Sequence, residues 1–301
     1  MKLQEIEEIR INCKKKNYIG LLLIILAAVF IFLAQLELDL APIFVGGCFI
    51  SMITGIIFVA IANIKFSKIK KEFKYKYLKE EIKRRYPEID YYPERGFEKD
   101  FVNRLGFYPN PDRYHSEDMV CGKIKGVSFV CADVKMEEKH VQHTKNGTRT
   151  YYVTIFQGRI YRFDFNKPFK DSILLTEGMR PSRYHHLNKV EMESIEFNKK
   201  FNTFCKDKLN AFYVLTPKMM LALLDLEKTN RGAITMLINE NNVFMGIYNN
   251  RDAFELRMNT KLDDNFIDYY LQDIIEIEGI IDQLDLDNQV FKDIYKDVNG
   301  L

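Results

Sequence analysis

The 301-residue sequence has no tryptophan, 8 prolines, 15 glycines and five cysteines. So little proline and glycine excludes a collagen-like chain, and a 47% apolar share excludes wholesale disorder. The cysteines (Cys13, Cys48, Cys121, Cys131 and Cys205) are odd in number and scattered. That excludes a disulfide-framed mini-protein and predicts free thiols in a reducing compartment. Neither charge sign is in excess. Forty-four Lys and Arg against 42 Asp and Glu leave +2, which gives no basis for nucleic-acid binding. The G-x-x-x-x-G-K-S/T phosphate loop, G-x-G-x-x-G, H-E-x-x-H and G-x-S-x-G are all missing. The sequence therefore assigns no catalytic, cofactor-binding or metal-binding residue, and no cofactor.

The most informative absence is local. No charged residue lies between Tyr18 and Leu36 or between Leu40 and Ile64. At 1.5 Å per helical residue these runs are about 28 and 37 Å long, enough to cross a hydrocarbon core of about 30 Å. Only Glu37, Leu38 and Asp39 separate them, so the two helices are expected to be antiparallel, a transmembrane hairpin over residues 18–64. A cleaved signal peptide is the alternative for the first run, but the run is long for an h-region and no A-x-A site follows. Without an ionisable group inside either run, a pump, channel or proton relay has nothing to work with.

What is present at the flanks sets an orientation. Lys14, Lys15 and Lys16 precede the first run, and Lys65, Lys68, Lys70, Lys71, Lys74 and Lys76 follow the second. Lys and Arg near a span stay inside. The expectation is therefore a multi-pass protein of the cytoplasmic membrane with both termini, including residues 1–17, in the cytoplasm. Residues 65–86 carry +7 and read as a basic juxtamembrane helix ending at Pro87. Its lysines lie either on anionic lipid or in solvent. Subtraction leaves −5 on residues 87–301. Within the second run, Gly47, Ser51 and Gly55 recur every four residues. Such a stripe lets helices approach closely, either inside the hairpin or between self-associated copies.

Residues 87–301 are long enough to bury a core. Residues 87–117 read as irregular, with a short helix at 98–105. Alternation predicts strands from Val127, with a turn or bulge at Ala132-Asp133. Asn146-Gly147 signals a hairpin, Gln157-Gly158 a second break, and Ser172–Thr176 a short strand. Thr216-Pro217 starts a helix that Gly232 should end as a left-handed cap. A hairpin follows over 233–248, then a strand at Phe254 and Leu256, then an amphipathic helix over about 264–283. The fold class is α+β: the helical hairpin, then antiparallel strands with packed helices.

Two polar clusters are candidate sites. Arg180, Arg183, Tyr184, His185 and His186 form a basic, aromatic loop that suits a phosphate or an acidic partner. His140 and His143 flank the predicted hairpin turn, but Cys121 and Cys131 do not complete a standard metal spacing.

Three stretches carry a family resemblance: FQGRIYRFDFNKPFK (156–170), SIEFNKKFNTFCKDKLNAFYVLTPKMMLALLDLEK (194–228) and NNVFMGIYNNRDAFEL (241–256). With the preceding hairpin, residues 65–301 resemble the bacterial domain family of unknown function numbered 3137 (DUF3137). The resemblance implies a membrane-anchored bacterial protein with no established activity and no assigned site residues. It also implies a membrane partner, since members often lie near LemA-like genes. High Ile, Lys and Asn with no Trp suits an AT-rich bacterial genome. Three readings of function follow: a membrane-anchored interaction or scaffold module, a peripheral sensor of anionic lipid or a small anion, and an enzyme of unrecognised type.

Overall fold

A computed structural model describes residues 3–36, 40–144, 147–164, 171–178, 181–230, 232–262, 266–284 and 286. The chain divides into two compact units, Met1–Glu81 with Glu255–Tyr269, and Ile82–Phe254 with Tyr270–Leu301.

The first unit is built on α1 (Leu3–Leu36) and α2 (Ala41–Glu72). Pro42 sits in the first turn of α2, where a missing N–H costs nothing. The helix runs on through a π-helical turn, Phe73–Leu78, into α3 (Lys79–Arg85). Both long helices are apolar enough to cross a membrane. Leu22, Phe32, Ile43, Ile50 and Ile64 are exposed, a surface suited to hydrocarbon rather than water. The predicted connector, Glu37 to Asp39, lies outside the described residues. Near the start of α1, Arg10 is buried and donates to both oxygens of Glu7 and to the Met258 carbonyl. Glu7 in turn accepts from the Leu262 N–H at 3.2 Å.

The second unit is a sheet of nine antiparallel strands among the described residues. These are β1 (Ile89–Tyr92), β2 (Arg113–Ile124), β3 (Val127–Thr144), β4 (Gly147–Asp164), β5 (Ile173–Thr176), β6 (Asn188–Val190), β7 (Asn202–Cys205), β8 (Ala233–Asn239) and β9 (Asn242–Tyr248). Their order is β1-β2-β3-β4-β9-β8-β5-β7-β6. The helices are α4 (Lys99–Leu105), α5 (Ile195–Lys200), α6 (Lys208–Val214), α7 (Pro217–Asn230) and α8 (Phe266–Gln283). The fold is thus α+β, as the alternation and periodicity predicted. Thr216 caps α7, its Oγ1 accepting from the Met219 N–H at 3.3 Å. One core cluster gathers Val102, Leu105 and Phe107 with Val134, Met136, Phe156, Ile160, Leu174 and Leu237.

Several local expectations are corrected. Residues 87–117 are not simply irregular: Ile89 and Tyr91 alternate inward in β1, and β2 starts at Arg113. β3 does not break at Ala132-Asp133. Asp133 is buried without ending the strand because Arg159 opposite it supplies the counter-charge. The register shifts fall instead at Met136/Glu137 and at Glu117/Val120. β4 is continuous through Gln157-Gly158, where the glycine serves close approach: a Cβ there would sit 2.0 Å from the Ile247 carbonyl oxygen. Gly232 is not a left-handed cap. A Cβ there would meet the Tyr248 carbonyl oxygen at 2.6 Å, so the residue is small for packing. Phe254 and Leu256 are buried outside any strand, and Phe254 has φ +56°. Of the hairpin signal, Gly147 opens β4 opposite Thr144, while Asn146 lies outside the described residues.

Candidate functional site

In the first unit the small-residue stripe of α2 faces α1. Ser51 Oγ donates to the Leu23 carbonyl at 2.6 Å. A Cβ on Gly55 would lie 2.8 Å from the Gly20 carbonyl oxygen, and one on Gly20 would lie 2.8 Å from the Gly55 oxygen. A Cβ on Gly47 would meet the Phe30 ring at 3.3 Å. The α1 half of this crossing, Gly20, is a lone glycine in an apolar run, and no periodic pattern marks it.

The juxtamembrane lysines divide into two groups. Lys65, Lys68, Lys71 and Lys76 are exposed, Lys70 is half-buried and Lys74 is buried. Lys74 departs from the expectation of a lipid-facing cation. It pairs with Glu255 at 2.6 Å, and Lys70 pairs with the same carboxylate. Burial alone would raise the Glu255 carboxyl, but hydrogen bonds and charge from Lys70 and Lys74 hold it below the usual carboxylate value. Sequence spacing missed this inward turn, because the π-helical turn breaks the α-helical phase between Phe73 and Leu78.

In the second unit the predicted basic loop lines a groove. Arg180 lies outside the described residues. Arg183 and His185 line a cavity of about 550 Å³ together with Asn103, Phe107, Tyr108, Pro109, Asn110 and Pro181. Tyr184 points inward, its hydroxyl donating to the Leu105 carbonyl at 2.6 Å. His186 is exposed and packs near the rings of Tyr184 and His185. The opposite wall follows Gly106, which ends α4 with φ +66°. A Cβ there would fall 2.2 Å from Arg183 Cδ, so glycine serves both the turn and the seat of the arginine stem. Burial pushes the Tyr108 phenol well up, against a hydrogen bond with Thr235. The Asn103 Oδ1 is buried and finds no hydrogen-bond partner. This wall was not legible as a site, because FYPNP reads as an ordinary turn.

Two further features stand out. In the first, Arg159 is buried and donates from Nε to Asp133 at 2.7 Å, while its Nη1 and Nη2 find no hydrogen-bond partner among the described residues and the guanidinium lies over the Phe254 ring. Arg251 bridges Asp273 at 3.2 Å and Glu276 at 3.1 Å on α8. Burial raises both the Asp273 and Glu276 carboxyls, against the charges of Arg159 and Arg251. The space these groups enclose is about 10 Å³, room for one water and no larger ligand. The cluster ties α8 to the sheet.

The second feature is a ribbon. Residues 138–144 of β3 pair with 147–153 of β4, beyond the reach of β2, which pairs up to Glu137, and of β9, which pairs from Gly158. His140 stacks on Tyr151 at 5.5 Å, and His143 Nδ1 meets Thr148 Oγ1 at 3.0 Å. Three apart on one strand, the two histidines point to opposite faces and do not converge on a metal. All five cysteines are free, and burial pushes the Cys131 thiol up to about 12.

Residues 154–286 match the family described as "Protein of unknown function (DUF3137)", a narrower segment than the resemblance suggested. No curated protein matches the chain. Among solved structures, the mycobacterial trehalose monomycolate transport factor A, TtfA, is similar at 10% identity and a TM-score of 0.36, over 69% of this chain and 97% of that one.

Proposed function

We propose that this chain is a membrane-anchored interaction module. In this reading the α1–α2 hairpin crosses the cytoplasmic membrane, both termini are cytoplasmic, and the sheet unit engages a partner protein. The ribbon carries the reading. Seven residues of each strand extend about 24 Å with no further strand on either outer edge among the described residues, and on the β3 side the Lys139 N–H donates to Asp112 Oδ2 at 2.6 Å. Val141, Tyr151 and Val153 are 48%, 43% and 41% exposed along it. A two-stranded ribbon is marginal alone in water, and open edges are templates for another chain. A protein that keeps one this long has a use for the contact.

The test is crosslinking and recovery from native membranes, using the full chain and a shortened one. Glu138 and Val153 are register partners in the same phase as Thr144 and Gly147. Replacing 139–152 by Asn-Gly therefore closes the hairpin on an equivalent pair. The full chain is expected to recover a discrete partner, a LemA-like membrane protein being the first candidate, and the shortened chain to lose it. Recovery of only lipid and abundant background proteins by the full chain sinks the reading. A reporter fused after residue 301 should be active only in the cytoplasm, and activity on the other side would overturn the topology.

The exposed Lys65, Lys68, Lys71 and Lys76 favour a second reading, as an anionic-lipid sensor. Exchanging all four for Gln should then reduce the anionic lipid that co-purifies with the full chain. Unchanged lipid content rejects it.

A further inference from the structure

We infer that the groove between Asn103–Asn110 and the 181–187 loop binds an acidic peptide segment of a partner protein. The carboxylate would be held by Arg183 and His185, with an apolar side chain against Phe107, Tyr108 and Pro109.

The electrostatics are the first argument. The groove lining contains Arg183 and His185 and no carboxylate, although residues 87–301 sum to −5. Among the described residues, no carboxylate lies within ion-pair reach of Arg183. A cationic recess lined by no carboxylate concentrates negative ligands.

Preorganisation is the second. The Arg183 stem rests on Gly106, and the adjacent Tyr184 is fixed by its bond to Leu105. The backbone that carries Arg183 is thereby held beside the groove, while its guanidinium end stays exposed to a ligand.

The third argument separates a peptide from a phosphate. The buried Asn103 Oδ1 lacks a donor, and the remaining walls are Phe107, Tyr108, Pro109 and Pro181 with Gly106 and Asn110. A phosphate oxyanion brings neither an N–H nor apolar surface, whereas a peptide brings both along with its carboxylates. The volume falls within the usual range of ligand clefts.

The inference rests on the interaction-module reading but uses a different surface, so the two can fail separately. The experiment measures fluorescence anisotropy with the full chain in neutral-lipid nanodiscs. The probes are a labelled acetyl-EDLFED-amide peptide and its neutral counterpart acetyl-QNLFQN-amide. Inorganic phosphate and phosphatidylglycerol vesicles serve as competitors. The acidic peptide is expected to bind about tenfold or more tightly than the neutral one, the worth of a hydrogen bond to a charged group. Arg183→Gln should lose that preference, and Arg183→Glu should transfer it to acetyl-KKLFKK-amide, a gain that misfolding cannot produce. Shortening the ribbon should leave the affinity unchanged.

Equal binding of acidic and neutral peptides overturns the assignment. So does displacement of the peptide by phosphate at equal concentration, which would make the groove a simple anion site. Arg183-dependent capture of the vesicles in place of peptide would assign it to lipid and overturn it as well. Any of these results leaves the module reading standing if the full chain still recovers its partner through the ribbon.

Discussion

At Gly55 the room for a side chain is set by backbone. A methyl group would meet the Gly20 carbonyl oxygen at 2.8 Å and the Ile24 amide nitrogen at 3.2 Å, and neither can move without separating the helices. Gly55→Ala is expected to cost about 1–3 kcal/mol, the usual penalty of overpacking. Gly47→Ala meets only the Phe30 ring at 3.3 Å, which can turn aside, and should stay within about 0.5 kcal/mol of the parent. Thermal unfolding of the detergent-solubilised protein ranks the two, and the reverse order would contradict the crossing geometry. Arg159 poses the opposite problem, a charge with a required partner. Arg159→Leu leaves the buried Asp133 carboxylate, among the described residues, with only the hydrogen bond from the Ala253 N–H and should cost about 3–5 kcal/mol. The double variant Asp133→Asn, Arg159→Leu should recover most of that loss, which the same melts would show.

Elements were legible from the sequence where one local rule decided them. The α2 run, the Thr216-Pro217 start and the amphipathic α8 follow from composition, capping and periodicity, and the structure forms all three. The failures lie where a distant residue decides. Asp133 reads as a strand break until Arg159 is seen opposite it, and Gly158 and Gly232 read as turns until β9 is seen against them. The candidate groove was half legible. The RPSRYHH loop announces itself by charge, but its other wall is set by the left-handed Gly106. The helix after the second apolar run shows the same limit. Its buried positions are Phe66, Ile69, Phe73, Leu78 and Ile82, with a five-residue step at the π-helical turn, where α-helical spacing from Phe73 leads to Tyr77. Removing one residue inside that turn makes the step four, which an α-helix accommodates. Deleting the exposed Tyr75 should therefore shift stability by less than about 1 kcal/mol. Deleting Ser67 rotates everything after it by about 100° and should cost several times as much. Equal melting losses for the two deletions would mean that the stripe is not what holds the helix in place.

Across the whole molecule, a near-neutral chain resolves into pieces of opposite character: two uncharged runs, a +7 helix and a −5 remainder. The two units also carry opposite proton linkage. In the first, Glu255 is held below its ordinary value by Lys70 and Lys74. Its contribution to stability is present above the unfolded carboxylate range, near pH 4.3, and is lost as pH falls through the depressed folded value. In the second, Asp273 and Glu276 are raised by burial. Folding makes them bind protons more readily than the unfolded chain does. Their contribution therefore grows as pH falls through the raised values and is complete below the unfolded range. Acidifying from pH 7 to about 5 should preserve or increase amide protection in 270–283, and further acidification should loosen 255–262 first. Hydrogen exchange followed by mass spectrometry, corrected for the intrinsic pH dependence of exchange, reads both segments in one sample. Glu255→Gln should loosen 255–262 already at pH 7, because the buried Lys74 loses the charge of Glu255, and should flatten the acid response of that segment alone. Loss of protection in 270–283 ahead of 255–262 would show that the buried carboxylates of α8 are not the groups that take up the first protons.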